Sequence, residues 1–578
     1  MINFRQEVAK LIKVATSFKV ETSSLIVPPN PAWGDFGWSV FGLAKEQKID
    51  PAKLAKDLAA KVNLKIKSGS TIKRCQAVGP YLNFFLDQTA VAQEVLGQIA
   101  MQGKKYGQQK LAKSKTVMLE YSGPNTHKDF HIGHLRNTVL GAALINLYQA
   151  QGLKVISANY INDVGSHVAK VLWYLTKSKI RNEKLIRLEP GTLGQAYARA
   201  SQLIKEKPEF EGAVSEVKQQ LENILPPQKA KTKTEQELFE LWKKTKEFSL
   251  AEFKKIYSLL GAKFSVYYFE KDLRTKGKAI VEQLLKQKIA VRSQGAVIVD
   301  LKSYGLDVLL ILRTDGTGLY ATSDLALAQE KFKKAKLAAS IYVTDSRQSF
   351  YFKQLFKILE LQGFKGKLIH VPYEFVTLGG KVLASREGVT MTFWSVYEEA
   401  VKLAVAETTK RHTEWSAKKI AQTAQTLALA TLKFEMLKTS AQNKIDFVLE
   451  QAIRFEGFTG PYLLYTLARI NSIFSKGKVK TIKHFVADKL NSEIEKKIIS
   501  QLAQFSPVVA KAQQTHNPAL LAQYLFELAR NFASFYESQP VLQAEIEIKN
   551  SRLYLLQNIR QVMENGLALL GIETLKEM

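Results

Sequence analysis

The run LEYSGPNTHKDFHIGHLRNTVLG, residues 119–141, decides how this chain is read. Its first residues complete TVMLEYS, a short β-rich stretch that Gly123 and Pro124 bring to a stop. Helical periodicity takes over from about Leu135 and runs to Gln151. Strand, loop and helix in that order form half of a βαβ unit. The loop holds three of the eight histidines, His127, His131 and His134. A His-x-Gly-His at a helix N-terminus puts two imidazoles where a phosphate would sit. Gly133 lets the backbone come close, the helix end favours negative charge, and imidazole N–H groups can stabilise charge that develops on phosphoryl oxygens. Two histidines that merely satisfy a helix terminus would look the same, so the four residues alone leave both readings open.

Outward from this loop, strand candidates alternate with helices. KVISANYI (154–161), SVYYF (265–269), GAVIVDL (295–301), DVLLILRT (307–314), SIYVTD (340–345) and LIHVPY (368–373) are the strands. SDLALAQEKFKKA (323–335) and FYFKQLFKILELQ (350–362) are among the helices, and the alternation predicts a Rossmann-like, doubly wound parallel sheet over residues 111–394. A Lys-, Glu- and Gln-rich helical insertion interrupts it at about 179–260. Residues 1–110 read as a small α+β module ending in YLNFFLD and a basic connector. A helical connecting region, 395–450, and a helical domain, 451–578, complete the chain.

At 578 residues, 46% of them hydrophobic, the chain can bury several cores. Lys and Arg outnumber Asp and Glu by 83 to 53, a net charge of +30 spread over periodic segments, which predicts a polyanionic partner; a generally cationic proteome is the plainer alternative. Cys75 is the single cysteine, which excludes a disulfide framework, a thiolate zinc site and a paired redox motif. No apolar run reaches the roughly 18 residues that span a bilayer, and the first residues read as a helix and not as an address. A cytoplasmic protein without membrane or structural metal is the expectation.

The full run around the two histidines closely resembles the signature of class I aminoacyl-tRNA synthetases, and among them the arginyl family: an acidic residue, Ser-x-Pro-Asn, then Lys-x-x-His-x-Gly-His-Leu-Arg. The resemblance implies that the chain activates L-arginine with ATP and Mg2+ and passes it to tRNA(Arg). It implies that Lys128, Gly133, His131 and His134 hold the ATP phosphates, with Lys128 and the two histidines catalytic. It also implies arginine contacts by Glu120, Ser122, Asn125, Tyr320, Asp324 and Gln348. The pocket fits its ligand, since a guanidinium is a planar fork of donors that asks for carboxylate, amide and phenol oxygens. Without the resemblance, Asp324 reads as a helix cap and Tyr320 as core.

The second signature of that class, Lys-Met-Ser-Lys-Ser, is incomplete here. The matching stretch, GGKVLASREGVTM (379–391), lacks the usual lysine, leaving Lys381 and Gly380 as ATP contacts and Arg386 as the catalytic cation. Some arginyl enzymes that lack the motif use a lysine before His-x-Gly-His instead, which here is Lys128.

The segments 452–473, 528–542 and 556–573 resemble the anticodon-binding helices of the family, and the resemblance makes Tyr462, Tyr465 and Arg469 tRNA contacts. At the other end, GPYLNFFLD resembles the additional N-terminal domain that contacts the tRNA elbow, with Tyr81 and Asn83 as matching positions and Phe84 and Phe85 as core. A monomer is expected. Another class I synthetase, a simpler His-x-Gly-His nucleotidyltransferase and an inactive RNA-binding relative remain the alternatives. Length and the single cysteine disfavour the first, the helical C-terminus the second.

Overall fold

The computed structural model describes residues 4–110, 115–177, 188–225, 230–378, 381–382 and 391–578. The N-terminal module has helices α1 (Phe4–Thr16), α2 (Phe41–Gln47) and α3 (Pro51–Asn63) and strands β1 (Phe36–Ser39), β2 (Ile72–Val78) and β3 (Tyr81–Leu86). The strands form an antiparallel sheet in the order β1-β3-β2. Helix α3 starts where it does because Asp50 accepts the Lys53 N–H at 2.8 Å and Pro51 takes the first turn, where no amide donor is missed. Its buried Leu54, Ala55, Leu58, Ala59 and Val62 make one apolar face, which lies on the sheet.

Helix α4 (Gln88–Gln102) leaves this module and packs against helices near the C-terminus. The basic connector after it is fastened there too: the Tyr106 hydroxyl donates to the Leu502 carbonyl at 3.0 Å and its ring stacks on Phe505. Asn565 donates to the carbonyls of Gly103 and Tyr106.

The central sheet has five parallel strands, β4 (Thr116–Glu120), β5 (Lys154–Ile161), β6 (Val266–Phe269) and, after an intervening hairpin sheet, β10 (Ala339–Asp345) and β11 (Leu368–Tyr373). Their order, β11-β10-β4-β5-β6, reverses between β4 and β10. A crevice opens at the carboxyl ends of strands at such a reversal, and ligands bind there. Val117, Leu119, Tyr121, Ile341, Val343, Val371 and Tyr373 fill one face of the sheet, packed with helix α5 (Ile132–Ala150). Met118, Ala158, Tyr268 and Tyr342 fill the other, under α10 (Glu270–Lys286), α11 (Tyr320–Lys334) and α12 (Ser349–Leu361). The period-2 alternation within β4 therefore divides two cores.

GAVIVDL and DVLLILRT do not join this sheet as expected. They are β8 (Ala296–Asp300) and β9 (Val308–Leu312), which with β7 (Val291–Ser293) make a separate antiparallel sheet in the order β7-β8-β9. Residues 301–307 are too few to carry the chain back for a parallel pairing, so β8 and β9 can only fold as a hairpin.

The insertion is helical as read: α6 (Ser166–Lys177) leads to α7 (Thr192–Glu206), α8 (Phe210–Ile224) and α9 (Lys233–Leu260). Thr232 and Glu235 form a reciprocal capping box at the start of α9, and Gly261 closes it in the left-handed conformation. Buried Asp163, just beyond β5, ties the insertion to the sheet. Its carboxylate meets Lys246 of α9 at 2.7 Å, and its carbonyl accepts from the Trp242 indole.

Strands β12 (Val376–Leu378), β13 (Lys381–Val382) and β14 (Ile445–Asp446) form a small sheet beside the crevice. The remainder is helical: α13 (Phe393–Arg411), α14 (Ala417–Leu437), α15 (Leu449–Ala452), α16 (Gly460–Lys476), α17 (Glu493–Ala503), α18 (Phe505–Gln514), α19 (Ala519–Ser538) and α20 (Ile546–Leu569). One buried ion pair, Arg552 to Glu495 at 2.8 Å, joins α20 to the capping box of α17.

Candidate active site

The two signature histidines sit at the first turn of α5. His131 is the N-cap, its Nδ1 accepting the Gly133 N–H at 3.1 Å, while Nδ1 of His134 accepts the His131 N–H at 3.3 Å. The rings stack with centroids 3.8 Å apart. Burial, helped by the charges of Lys128 and Arg347, lowers the His131 pKa to about 4; burial, His131 and Lys128 hold His134 well below its ordinary value. Both rings are thus neutral at pH 7. A neutral ring whose Nδ1 accepts must carry its proton on Nε2, so the caps fix the tautomer and leave two N–H donors for a ligand. Capping the helix in this way does not exclude phosphate binding by the same two rings.

His127, the third histidine, is structural. It is fully buried with a positive φ of 64°, its ring between Thr126 Oγ1 at 2.9 Å and Thr245 Oγ1 at 2.7 Å. Lys128 extends from the loop over the Tyr197 ring of α7, its ammonium 4.3 Å from the centroid. Asp129 rests on the same helix, where a side chain at Gly194 would collide with its carboxylate. The insertion therefore grips the loop by two consecutive residues.

Arg136 is fully buried, its guanidinium donating to carbonyls of Glu374, Phe375, Ser440, Ala441 and Asn443. This secures the base of β12. On the far side of the second-signature stretch, Ile132 donates to Met391 and Phe393 donates to Phe130 at 2.7 Å. Both ends of that stretch are thus anchored at the first loop. Gly380 and Arg386 lie outside the described residues; Lys381 is described only as backbone of β13.

The proposed arginine residues gather on the α11 side of the sheet. Glu120 ends β4 with its carboxylate 2.6 Å from the buried Lys331 ammonium, which lies over the Tyr342 ring. Asp324, on the first turns of α11, accepts from the Tyr351 hydroxyl at 2.5 Å. Burial, with the charges of Glu120 and Glu270 beside it, raises its pKa to about 7. Tyr320 opens the same helix and is 57% exposed, its phenol within the field of Glu270 and Asp324. Gln348 lies at the start of α12, three residues before Tyr351 and exposed. Asn125 bridges to Asn162 past the end of β5, its Oδ1 accepting at 3.0 Å.

Ser122 departs from its expected role. Its hydroxyl is buried, accepting from Thr138 at 2.9 Å and bonded to the Tyr257 hydroxyl at 2.9 Å, and its φ is 71°. With its N–H donating to Asn137 at 2.7 Å, the residue holds the strand-to-helix turn in shape. Its side chain has no reach left for arginine.

Sequence reasoning missed Lys331, Tyr351, Tyr160, Glu270 and Tyr197. Lys331 is seven residues from Asp324 on one helix, two turns along the same face, which was the only signal available. Glu270 follows SVYYF directly, is paired with Arg274 at 3.2 Å and has its pKa raised to about 7 by burial.

At the C-terminal end, Tyr462, Tyr465 and Arg469 all lie on the partly exposed face of α16. The Arg469 guanidinium stacks over Tyr536 at 4.4 Å and Tyr465 at 5.5 Å. Tyr465 and Arg469 border a cleft of about 1390 Å3 that Lys476, Lys480, Trp415 and Arg560 also line; Tyr462 is not part of its lining. At the N-terminal end Tyr81 is partly exposed beside the exposed Phe41 ring. Asn83 does not join it at the surface. It is 4% exposed, and its Oδ1 would touch any side chain placed at Gly37 on the paired strand, which leaves no edge to read a base. Phe84 is core as expected; Phe85 instead carries the Arg74 guanidinium on its face.

Residues 95–449 match the family model for tRNA synthetases class I (R), catalytic domain. The chain belongs to the arginyl-tRNA synthetases. Two further models agree, the arginyl tRNA synthetase N terminal domain over residues 3–86 and the DALR anticodon binding domain over residues 463–578. The chain is 33% identical to an arginine–tRNA ligase of Bdellovibrio bacteriovorus over 96% of its length and 94% of that protein. It is 31% identical to one of Alkaliphilus metalliredigens over the whole of both chains. Thermus thermophilus arginyl-tRNA synthetase superposes with a TM-score of 0.79 at 26% identity, over all of both chains. No described helix is long and apolar enough to cross a membrane.

Proposed function

We propose that the chain activates L-arginine with Mg-ATP at the β4–β10 crevice and transfers the arginyl group to tRNA(Arg), releasing diphosphate and then AMP. As a class I arginine–tRNA ligase it joins these substrates. The observation that carries the site reading is the adjacency of two kinds of group around one strand end: neutral imidazoles with Nε2–H donors, and a pocket of buried carboxylates and phenols.

In the first step an oxygen of the arginine carboxylate attacks the α-phosphorus, and diphosphate leaves. Asp324, Glu120, Tyr320, Gln348 and Asn125 hold the amino acid so that the oxygen faces the phosphate, while Nε2–H of His131 and His134 and the Lys128 ammonium meet the charge that grows on the phosphoryl oxygens. Catalysis of this kind is positioning and preorganised charge, with no covalent enzyme intermediate. Magnesium arrives as part of the ATP complex. In the second step a terminal ribose hydroxyl of the tRNA attacks the activated carbonyl and AMP departs. Residues 1–110 with Tyr81, and residues 451–578 with Tyr462, Tyr465 and Arg469, contact opposite parts of the tRNA, and a monomer in the cytoplasm carries out the whole reaction.

Arginine-dependent exchange of labelled diphosphate into ATP, run with and without bulk tRNA, tests the reading. Exchange with arginine and with no other amino acid is the expected result. Retention of tRNA binding with no exchange under either condition would point to an inactive RNA-binding protein.

A further inference from the structure

Strand β5 carries a polar group that the reaction as described does not use. Glu120 is in register with Ala158, and Ala158 and Tyr160 point to the same side of the sheet, two residues apart. Tyr342 on β10 is in register with Glu120 and Tyr268 on β6 with Tyr160. Tyr268, Tyr160, Glu120 and Tyr342 thus share the face that α11 covers with Asp324 and Lys331. Tyr160 stands on this face one strand away from Glu120.

The Tyr160 hydroxyl is buried and has no hydrogen-bond partner among the described residues. The charged groups around it are paired: Tyr351 donates to Asp324, Lys331 meets Glu120, and Arg274 meets Glu270, while the Tyr342 hydroxyl on the same face is likewise buried without a hydrogen-bond partner among the described residues. Burial, followed by the nearby charges of Asp324, Glu270, Tyr351 and Glu120, raises the phenol's pKa well above its ordinary value, so it stays protonated. A second acceptor just beyond the strand is also buried and unpartnered, Oδ1 of Asn162, the residue bridged to Asn125. A buried hydroxyl without a partner costs a folded protein stability and is retained where something else satisfies it. Here that something must bring N–H donors into a ring of carboxylates.

We propose that Tyr160 is a further arginine-binding and specificity-determining residue, its phenol oxygen accepting an N–H of the substrate guanidinium. The proposal rests on the arginine pocket lying on this face. A guanidinium offers five donors in one plane, more than Asp324 and Glu120 can take when one carboxylate is shared with Lys331 and the other with Tyr351. The phenol adds an acceptor without adding charge.

The test compares Tyr160→Phe and Asp324→Asn with the unaltered full chain in diphosphate exchange, alongside thermal unfolding with and without L-arginine. For Tyr160→Phe the expected result is an arginine KM raised about tenfold, the worth of one hydrogen bond to a charged group. The ATP KM stays within twofold, and the thermal midpoint without arginine is unchanged or higher, because the lone hydroxyl is gone. A purely structural hydroxyl would instead lower the midpoint and leave the arginine KM alone, which overturns the proposal. If Asp324→Asn raises the arginine KM and Tyr160→Phe does not, the phenol assignment fails while the pocket stands. If neither variant raises it, the pocket itself is misplaced and both readings fall.

Discussion

The Lys331 ammonium lies 2.6 Å from the Glu120 carboxylate, with the lysine side chain fully buried and the glutamate's nearly so. A charge so placed cannot be removed on its own, because its partner is left uncompensated out of water. Lys331→Met is expected to cost about 3–5 kcal/mol of stability in urea unfolding. Adding Glu120→Gln should restore a large part of that loss without restoring activity. Additive losses in the double variant would mean the pair is not coupled.

Asp324 should make arginine binding sensitive to pH. Burial raises its pKa to about 7, so it takes up a proton as the pH falls through neutrality and loses the charge the guanidinium needs. At pH 6 the arginine KM should be about tenfold above its plateau. For stability the sign is opposite: a raised carboxyl pKa makes folding favour the protonated form, so the cost of this group grows as pH rises from the ordinary carboxylate range to about 7. Asp324→Asn should raise the arginine KM about a hundredfold, flatten its pH profile and leave the ATP KM within threefold. An unchanged arginine KM would remove Asp324 from the pocket.

Lys128 precedes His131 by three residues, and its charge is felt by both histidines. Lys128→Ala should slow adenylate formation about a hundredfold or more, the worth of one preorganised charge. Stopped-flow measurement of the first step decides this, and a change below threefold would shift the work to the second-signature stretch.

His127 predicts acid sensitivity unrelated to catalysis. Burial lowers its pKa to about 3, so its contribution to stability is complete above about 6.5 and is lost as the pH falls toward 3. Replacing it with Gln, which can still bond Thr126 and Thr245, should make stability less steep between pH 6.5 and 4 by about 1.4 kcal/mol per pH unit. Equal slopes would show that the ring protonates in the folded state.

Arg469, held between Tyr465 and Tyr536, should matter for tRNA and not for arginine. Arg469→Ala should raise the tRNA KM about tenfold and reduce the salt dependence of binding, with tRNA-free measurements of ATP binding unchanged.

The sequence by itself determined the strand, loop and helix around His131 and His134, because capping, glycine placement and helical periodicity are local properties of a few adjacent residues. It also determined the helical insertion and the helical C-terminus, and, through a long motif, the family. Only the tertiary structure decided the rest. Which strands pair is settled by connection length and packing, so GAVIVDL and DVLLILRT, as apolar as any central strand, became a hairpin outside the parallel sheet. Ser122 and Asn83 carry the right chemistry in the right motif, but residues far away in sequence bury them: Ser122 is bonded to Tyr257, and the Asn83 amide is enclosed against Gly37 of the paired strand. Lys331 and Tyr160 read as an ordinary helix cation and an ordinary strand aromatic. It is β4, β5 and α11 that bring them to one sheet face beside Glu120, where burial in a low-dielectric interior gives a lone hydroxyl or a charge its consequence.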